Sequence, residues 1–149
     1  MNSISLHEIR EDILTLPSGV DPPPDELGVI DATRNLYASR GFSVPWVCYL
    51  AVLGSNCVGT CGFTGPPKDG QVEIAYFTFP EHEGRGVATK MAKLLVDIAL
   101  NARMEGLQII AYTLPTKSAS TSILEKVGFM FAEELEHEED GKVWKWVRA

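Results

Sequence analysis

A chain of 149 residues is long enough to form one domain with its own hydrophobic core. Its 45% hydrophobic and 22% charged residues are ordinary for a soluble globular protein, and no stretch approaches the roughly 20 apolar residues that span a membrane. The net charge of −7 argues against nucleic acid as a partner, because duplex binding requires a basic surface. We therefore predict a single domain over residues 1–149, with neither a nucleic acid nor a membrane as its partner.

The cysteines indicate a reducing compartment. Cys48, Cys57 and Cys61 make an odd count, and the first residues show no basic segment followed by an apolar run, as a secretory signal would. We therefore predict a cytoplasmic protein with reduced thiols. A zinc site would need a C-x2-C knuckle and further ligands, so we predict no metal and assign Cys57 and Cys61 to the buried side of one strand.

The N-terminal third predicts a strand and then helical segments. Residues 3–9 alternate loosely, residues 11–16 form a short helical turn, and residues 18–24 (SGVDPPP) form a rigid connector. The next helix is predicted to begin after Asp25 as N-cap and to end at Gly41. Its apolar side would carry Leu27, Ile30, Leu36 and Tyr37.

A hairpin follows. The apolar run 46–53 (WVCYLAVL) predicts a strand, the turn 54–56 reverses the chain, and residues 57–64 (CVGTCGFT) return as its partner. Gly59 and Gly62 predict a bulge or a close approach of another backbone in this second strand.

The central stretch, residues 71–106, predicts strand, turn and helix. Both faces of the strand 71–79 are largely apolar, so we expect both to be covered, and Pro80 ends it. One face would carry Val72, Ile74 and Tyr76, and the other Ala75, Phe77 and Phe79. Apolar residues then recur at helical spacing from Val87 to Ala102.

The turn between this strand and this helix is rich in glycine. Gly84-Arg85-Gly86-Val87-Ala88 would direct unpaired backbone N–H groups to one point, which favours a phosphate or pyrophosphate. A simple strand-to-helix turn explains the glycines equally well when the loop is considered alone. A dinucleotide fingerprint would need a third glycine where Thr89 stands, and the P-loop pattern is absent.

The C-terminal part completes a mixed α/β fold. It predicts a strand at 107–114, a helix at 118–127 that ends at Gly128, and a hairpin of strands 129–138 and 142–147 closed by Glu139-Asp140-Gly141. The predicted order is β, α, α, β, β, β, α, β, α, β, β.

Three ordered stretches resemble the Gcn5-related N-acetyltransferase (GNAT) superfamily. The sequence VEIAY at 72–76 is similar to the V-E-I-G-Y strand of the ribosomal-protein alanine acetyltransferase branch, and EGRGVAT at 83–89 is similar to the acyl-CoA loop Q/R-x-x-G-x-G/A. The block from Thr113 to Phe129 resembles T-x-P-x-N-x-x-S-x-x-x-L-E-K-x-G-F. The resemblance implies a mixed sheet of six to seven strands flanked by about four helices, with central strands splayed at the cofactor site.

The resemblance further implies acetyl-CoA as the cofactor. The loop would bind its pyrophosphate, and the end of the preceding strand would pair with the pantetheine amides. Lys117 stands where the branch often has Asn, and Ser120 matches the serine of the pattern. The implied cofactor-binding residues are Phe77, Thr78, Phe79, Gly84, Arg85, Gly86, Val87, Ala88, Thr89, Lys117 and Ser120.

The implied activity is direct transfer of an acetyl group to a primary amine in a ternary complex. Glu73 matches the strand position at which several family members carry the base, although a structural carboxylate would also explain it. Leu124 replaces the tyrosine that often serves as acid, so Tyr76, Tyr112 or water would have to protonate the thiolate. This replacement keeps a second class open, a non-catalytic acyl-CoA-binding or regulatory module.

The resemblance implies that the acceptor is an amine but does not identify which amine. A protein N-terminus and a small amine both suit the fold, because fold does not fix the substrate. The resemblance also allows a homodimer, for which the sequence indicates no interface.

Overall fold

The computed structural model describes residues 3–12, 16–24 and 27–148. Its strands are β1 (Ile4–Glu8), β2 (Cys48–Leu53), β3 (Asn56–Phe63), β4 (Gln71–Thr78), β5 (Gln108–Thr113), β6 (Met130–His137) and β7 (Gly141–Arg148). The helices are α1 (Val29–Arg40), α2 (Val87–Asn101) and α3 (Ala119–Lys126), and a 3-10 turn covers Pro80–His82. The predicted mixed fold is confirmed, with three α-helices in the described ranges instead of about four. The predicted turn at 11–16 lies partly outside the described residues. Asp25 lies wholly outside them, and the prediction that it caps α1 is wrong, because the N-cap of this helix is Gly28.

The seven strands form one sheet in the order β1-β2-β3-β4-β5-β7-β6. All neighbours are antiparallel except β4 and β5, which α2 connects as a parallel pair. Their pairing begins at Gln71–Gln108 and ends at Glu73–Ile110, although β4 continues to Thr78 and β5 to Thr113. The central strands therefore part as predicted, and residues 74–78 have no ladder partner on the β5 side.

Two cores lie on opposite faces of the sheet. The larger one packs α2 and α3 against β3, β4 and β5, with Met91, Leu95 and Leu124 fully buried. The smaller one packs α1 against β2. No helix in the described part of the chain is long and apolar enough to cross a membrane.

The buried side of α1 differs from the prediction. Val29, Thr33 and Tyr37 are buried, whereas Ile30 and Leu36 are only partly buried. Thr33 occupies a core position because its hydroxyl donates to the carbonyl oxygen of Val29 at 2.8 Å, which satisfies the polar group inside the helix. A polar residue in this role is invisible to a search for apolar periodicity.

The two faces of β4 are unequal, which corrects the prediction that both are covered. Val72 and Ile74 are each 2% exposed beneath α2, but on the other face Ala75 is exposed and Phe77 is 47% exposed. A groove separates α1 from this part of the sheet and leaves the face open.

The two glycines of β3 allow close backbone approach, as predicted. A Cβ atom on Gly59 would lie 2.7 Å from the carbonyl oxygen of Phe77, and one on Gly62 would lie 2.6 Å from the Cα of Cys48. A bulge also falls in this strand, because Ala51 pairs with Gly59 while Val52 pairs with Cys57.

The bulge sends the two cysteines of β3 to different cores. Cys57 packs in the smaller core and Cys61 in the larger one. The prediction that they share a face is therefore wrong, because the extra residue shifts the alternation between them. Both are buried free thiols.

Candidate active site

A groove of about 570 Å³ runs from the end of β4, past the glycine loop, to the first turns of α2 and α3. We call it the cofactor groove. Eight predicted cofactor-binding residues line it: Phe77, Thr78, Gly84, Gly86, Val87, Ala88, Thr89 and Ser120. It is also lined by Tyr76, Glu83, Ala119, Ser122, Ile123 and Lys126.

The N-terminus of α2 forms one end of this groove. Gly84 and Gly86 have φ values of +77° and +76°, a conformation that glycine adopts at little energetic cost and other residues rarely adopt. A Cβ atom on either would meet nothing within 4 Å. Gly86 is the N-cap and provides no side-chain cap, and the first helical bond is from Lys90 N to the Gly86 oxygen at 3.2 Å. The N–H groups of the first turn, residues 87–89, thus have no acceptor among the described residues. This end of the groove fits an anionic group such as a pyrophosphate.

The splayed edge of β4 forms the groove's other wall. Tyr76, Phe77 and Thr78 all line it, and they lie beyond the last pairing of β4 with β5. Their backbone groups on that side lack a strand partner. The geometry therefore suits an amide-bearing chain that pairs with β4 as an additional strand.

Three predicted cofactor residues lie elsewhere. The Phe79 side chain is 2% exposed and packs in the smaller core, and Arg85 is exposed on the loop outside the groove lining. Lys117 lines a separate groove with Phe131 and Trp144. The α3 residues that line this separate groove, Thr121 and Glu125, are not among those that line the cofactor groove.

Lys126 contributes a positive charge to the cofactor groove, and it was not among the predicted site residues. It follows Ala119, Ser122 and Ile123 at steps of three and four residues, which puts all four on one face of α3. Extending the helical spacing forward from Ser120 and Ala119 would have identified this face.

Glu73 projects from the opposite face of β4. The Thr64 hydroxyl donates to Glu73 Oε1 at 3.1 Å. Burial raises the pKa of the Glu73 carboxyl, while the hydrogen bond from Thr64 and the charges of Arg40 and His137 lower it and Asp140 raises it further. Desolvation is the largest of these effects, so the carboxyl is held above its ordinary pKa.

The open face beside Glu73 carries further polar groups from β5 and the β6–β7 hairpin. The rings of Tyr112 and His137 meet edge to face with centroids 5.8 Å apart. Burial, and secondly the Glu73 charge, raise the pKa of Tyr112. His137 Nδ1 lies 3.5 Å from Asp140 Oδ2. The sequence offered no context for His137, because its proximity to Glu73 arises only when the hairpin folds back beside β5.

A second groove, of about 290 Å³, lies between α1 and the open face of β3 and β4. We call it the acceptor-side groove. Thr64, the partner of Glu73, lines it, and its floor includes Gly62 and Ala75. It shares Tyr76 and Phe77 with the cofactor groove. The two grooves therefore meet at the end of β4.

Tyr76 is the acidic group at this junction. Burial raises its pKa to about 12, so its phenol is protonated at neutral pH. Leu124, which stands at the family's usual tyrosine position, is 0% exposed in the core. It therefore contributes packing and no proton.

The chain matches the family model described as "Acetyltransferase (GNAT) domain" over residues 11–130. A search of curated protein sequences gave no match.

Solved structures with the same fold are numerous. An acetyltransferase from Agrobacterium tumefaciens aligns with a TM-score of 0.66 and 19% identity over 98% of this chain and 90% of the other. RimL, a ribosomal L7/L12 alpha-N-protein acetyltransferase in complex with coenzyme A, aligns with a TM-score of 0.67 and 15% identity over 97% of this chain and 93% of the other. AAC(6')-Ib in complex with ribostamycin and coenzyme A aligns with a TM-score of 0.59 and 20% identity over 69% of this chain and 63% of the other.

The family match covers most of the chain, and the fold agrees with that of these structures. The chain belongs to the GNAT acetyltransferases, a family that takes its acetyl group from acetyl-CoA.

Proposed function

We propose that this chain transfers the acetyl group of acetyl-CoA to a primary amine, either a protein N-terminus or a small amine. One observation carries the proposal above all others. A groove suited to an anionic, amide-bearing cofactor and a second groove beside a partly buried carboxylate meet at Tyr76 and Phe77. Donor and acceptor can therefore occupy opposite faces of β4 and react at its end.

The cofactor groove would hold acetyl-CoA at three places. The first-turn N–H groups of α2 receive the pyrophosphate, and the unpaired edge of β4 at residues 76–78 receives the pantetheine amides. Ser120 and Lys126 on α3 supply a hydroxyl and a positive charge to the same groove. The cofactor supplies the activated acyl group, and the protein supplies its orientation.

Glu73 is the proposed base. An amine must lose a proton before or during attack on a carbonyl carbon, and a carboxyl with a raised pKa accepts that proton better than an ordinary one. Thr64 fixes the carboxylate by its hydrogen bond and also borders the acceptor-side groove. A water molecule can connect Glu73 to an amine in that groove.

Tyr76 is the proposed acid. Its side chain alternates with that of Glu73 along β4, so acid and base belong to opposite faces of one strand. In the described part of the chain its hydroxyl has no hydrogen-bond partner, so it is free to donate to a leaving thiolate in the cofactor groove.

Direct transfer is favoured over an acyl-enzyme. Cys48 and Cys61 are the candidate nucleophiles, since both line the acceptor-side groove. Burial raises the pKa of both thiols, that of Cys48 to about 11, which leaves almost no thiolate at neutral pH.

The test combines binding with turnover. Titration with acetyl-CoA should show binding, and an amine and peptide panel should release CoA. Glu73→Gln should lower the rate at unchanged acetyl-CoA affinity. Binding without acetylation of any amine would favour the second function class, a non-catalytic acyl-CoA module, to which the buried Leu124 also points. Absence of acetyl-CoA binding would overturn both.

A further inference from the structure

The acceptor-side groove restricts the amine beyond what the family resemblance implies. We infer that the acceptor is a monoamine whose amino group is attached to an apolar alkyl or aryl group, and not a polyamine or a polyhydroxylated amine. The inference rests on the proposed function, since it assigns the substrate of the same site.

The described residues that line the groove carry no charge. Its lining consists of aliphatic, aromatic, small and hydroxyl-bearing residues: Leu27, Val29, Ala32, Thr33, Leu36, Cys48, Thr60, Cys61, Gly62, Phe63, Thr64, Ala75, Tyr76 and Phe77. None of these is ionised at neutral pH, and the half-exposed ring of Phe77 offers an apolar surface to a bound group. A second ammonium group would be desolvated there without a counter-ion.

The hydroxyl groups of the lining threonines are already engaged. Thr33 donates to the Val29 carbonyl at 2.8 Å, Thr60 to the Tyr49 carbonyl at 3.1 Å and Thr64 to Glu73 at 3.1 Å. A substrate rich in hydroxyl groups would lose its hydrogen bonds to water and find few donors in exchange. Apolar groups have no such cost.

The carboxylate of Glu73 adjoins this lining through Thr64, whose hydroxyl donates to it. The groove therefore offers one site for an amine and an apolar site for whatever the amine is attached to. Its volume of about 290 Å³ is at the small end of ligand pockets, which run from roughly 300 to 1,000 Å³. A short alkyl or aryl group fits, and so does the apolar side chain of an N-terminal residue.

Two matched series of acceptors test this selectivity. Propylamine to hexylamine should show kcat/KM rising with chain length, by up to about fourfold per methylene if each is fully buried. The diamine of six carbons replaces the last methyl group of hexylamine by an aminomethyl group, so its kcat/KM per amino group should be at least about tenfold lower. Two tripeptides, one beginning with Phe and one with Lys, test the same preference at a peptide N-terminus. Comparing their kcat/KM with that of hexylamine shows whether the acceptor is a peptide N-terminus or a free amine.

A variant locates the effect in the groove. Ala75 is exposed on its floor and does not line the cofactor groove, so Ala75→Leu narrows one groove and leaves the other intact. We expect KM for hexylamine to rise about tenfold, with acetyl-CoA affinity within twofold of wild type. Ala38→Leu makes the same change at an exposed α1 position outside the groove and should leave both values unchanged.

Calorimetric titration of the CoA-loaded protein separates this inference from the proposed function. If hexylamine binds more tightly than the diamine, and Ala75→Leu weakens that binding, while no amine is acetylated, the groove assignment stands and the catalytic proposal fails. If acetylation is fastest with the diamine, or with the Lys peptide over the Phe peptide, catalysis stands and the assignment is overturned. Equal effects of Ala75→Leu and Ala38→Leu also overturn it.

Discussion

The two grooves that meet on β4 are built in different ways. The cofactor groove depends on backbone: two glycines with positive φ, an uncapped helix N-terminus and a strand edge without a partner. The acceptor-side groove depends on side chains that α1, β2, β3 and β4 contribute from distant parts of the sequence. A backbone site has little freedom to vary if it is to bind the same cofactor, whereas a side-chain site can change its selectivity by substitution.

The same comparison applies to the two faces of β4. Successive side chains point to opposite faces, so Glu73 and Ala75 belong to the acceptor side, whereas Tyr76 belongs to the other face and stands where the two grooves meet. The strand thereby separates the proposed base from the proposed acid without a loop or a hinge. Substitutions on either face can test this division of roles.

Removal of the base should affect the acceptor side only. Glu73→Gln keeps an oxygen to accept the Thr64 hydrogen bond, and we expect kcat/KM at pH 7 to fall about 10²- to 10³-fold. Isothermal titration should give an unchanged Kd for acetyl-CoA. A loss of acetyl-CoA affinity as large as the loss of rate would contradict the division.

The dependence of kcat/KM on pH should show the ionisation of the Glu73 carboxyl. Burial raises the pKa of Glu73, so its ionised fraction grows with pH through a range above that of an ordinary carboxyl. In wild type kcat/KM should fall on the acid side through that range, and this limb should be missing in Glu73→Gln. Thr64→Val removes the hydrogen bond that lowers the pKa, so the limb should move to higher pH.

Removal of the acid should affect the cofactor side of the same strand. We expect Tyr76→Phe to lower kcat about 10- to 100-fold, because the leaving thiolate then takes its proton from water. The measurement is single-turnover CoA release with saturating amine. A substrate whose leaving thiol has a low pKa should restore most of the rate. Tyr112→Phe is the control, because Tyr112 lines neither groove, and it should retain near wild-type kcat.

Local sequence was sufficient to predict the backbone elements that form the cofactor groove. The strand, the glycine turn and the following helix are contiguous, and Gly84 and Gly86 adopt the conformation that only glycine takes readily. The order and type of the strands followed from apolar runs and turn residues. Even there, Lys117 fell outside the groove, since a motif position gives spacing along the chain and not the direction of a side chain.

The acceptor half could not be predicted, for physical reasons. The open face of β4 contains Ala75 and Phe77, which look like core residues in the sequence, and its exposure depends on where α1 packs. The buried side of α1 includes Thr33, whose polarity hides it from a search for apolar spacing. The bulge in β3 reverses the face of Cys57. Gly59 and Gly62 predict a bulge or a close approach in this strand, but not the residue at which the alternation of side chains shifts.

Backbone conformation at the loop should control cofactor affinity. Gly86→Ala forces alanine to a φ of +76° at the N-cap of α2, and we expect acetyl-CoA to bind about tenfold more weakly by titration as the first turn shifts. Gly106→Ala is the matched control, with a φ of +74° and equally open space, but outside the cofactor groove. Both should lose similar stability in thermal melts, and only Gly86→Ala should lose affinity. Equal affinities would mean that the loop does not bind the cofactor.

The smallest effect concerns charge at the same end of the groove. Glu83 lines the cofactor groove at the position where the resembled family usually has Gln or Arg, and it is exposed. A carboxylate there repels a pyrophosphate weakly, because solvent and salt screen the interaction. Glu83→Gln should therefore tighten acetyl-CoA binding about two- to fivefold at low salt, and the gain should shrink in 0.5 M salt. Lys126→Gln should have the opposite effect with the same salt dependence, since Lys126 contributes the positive charge from α3. If both variants bind acetyl-CoA as wild type does at every salt concentration, the pyrophosphate lies away from both side chains and the backbone of residues 84–89 alone accounts for its binding.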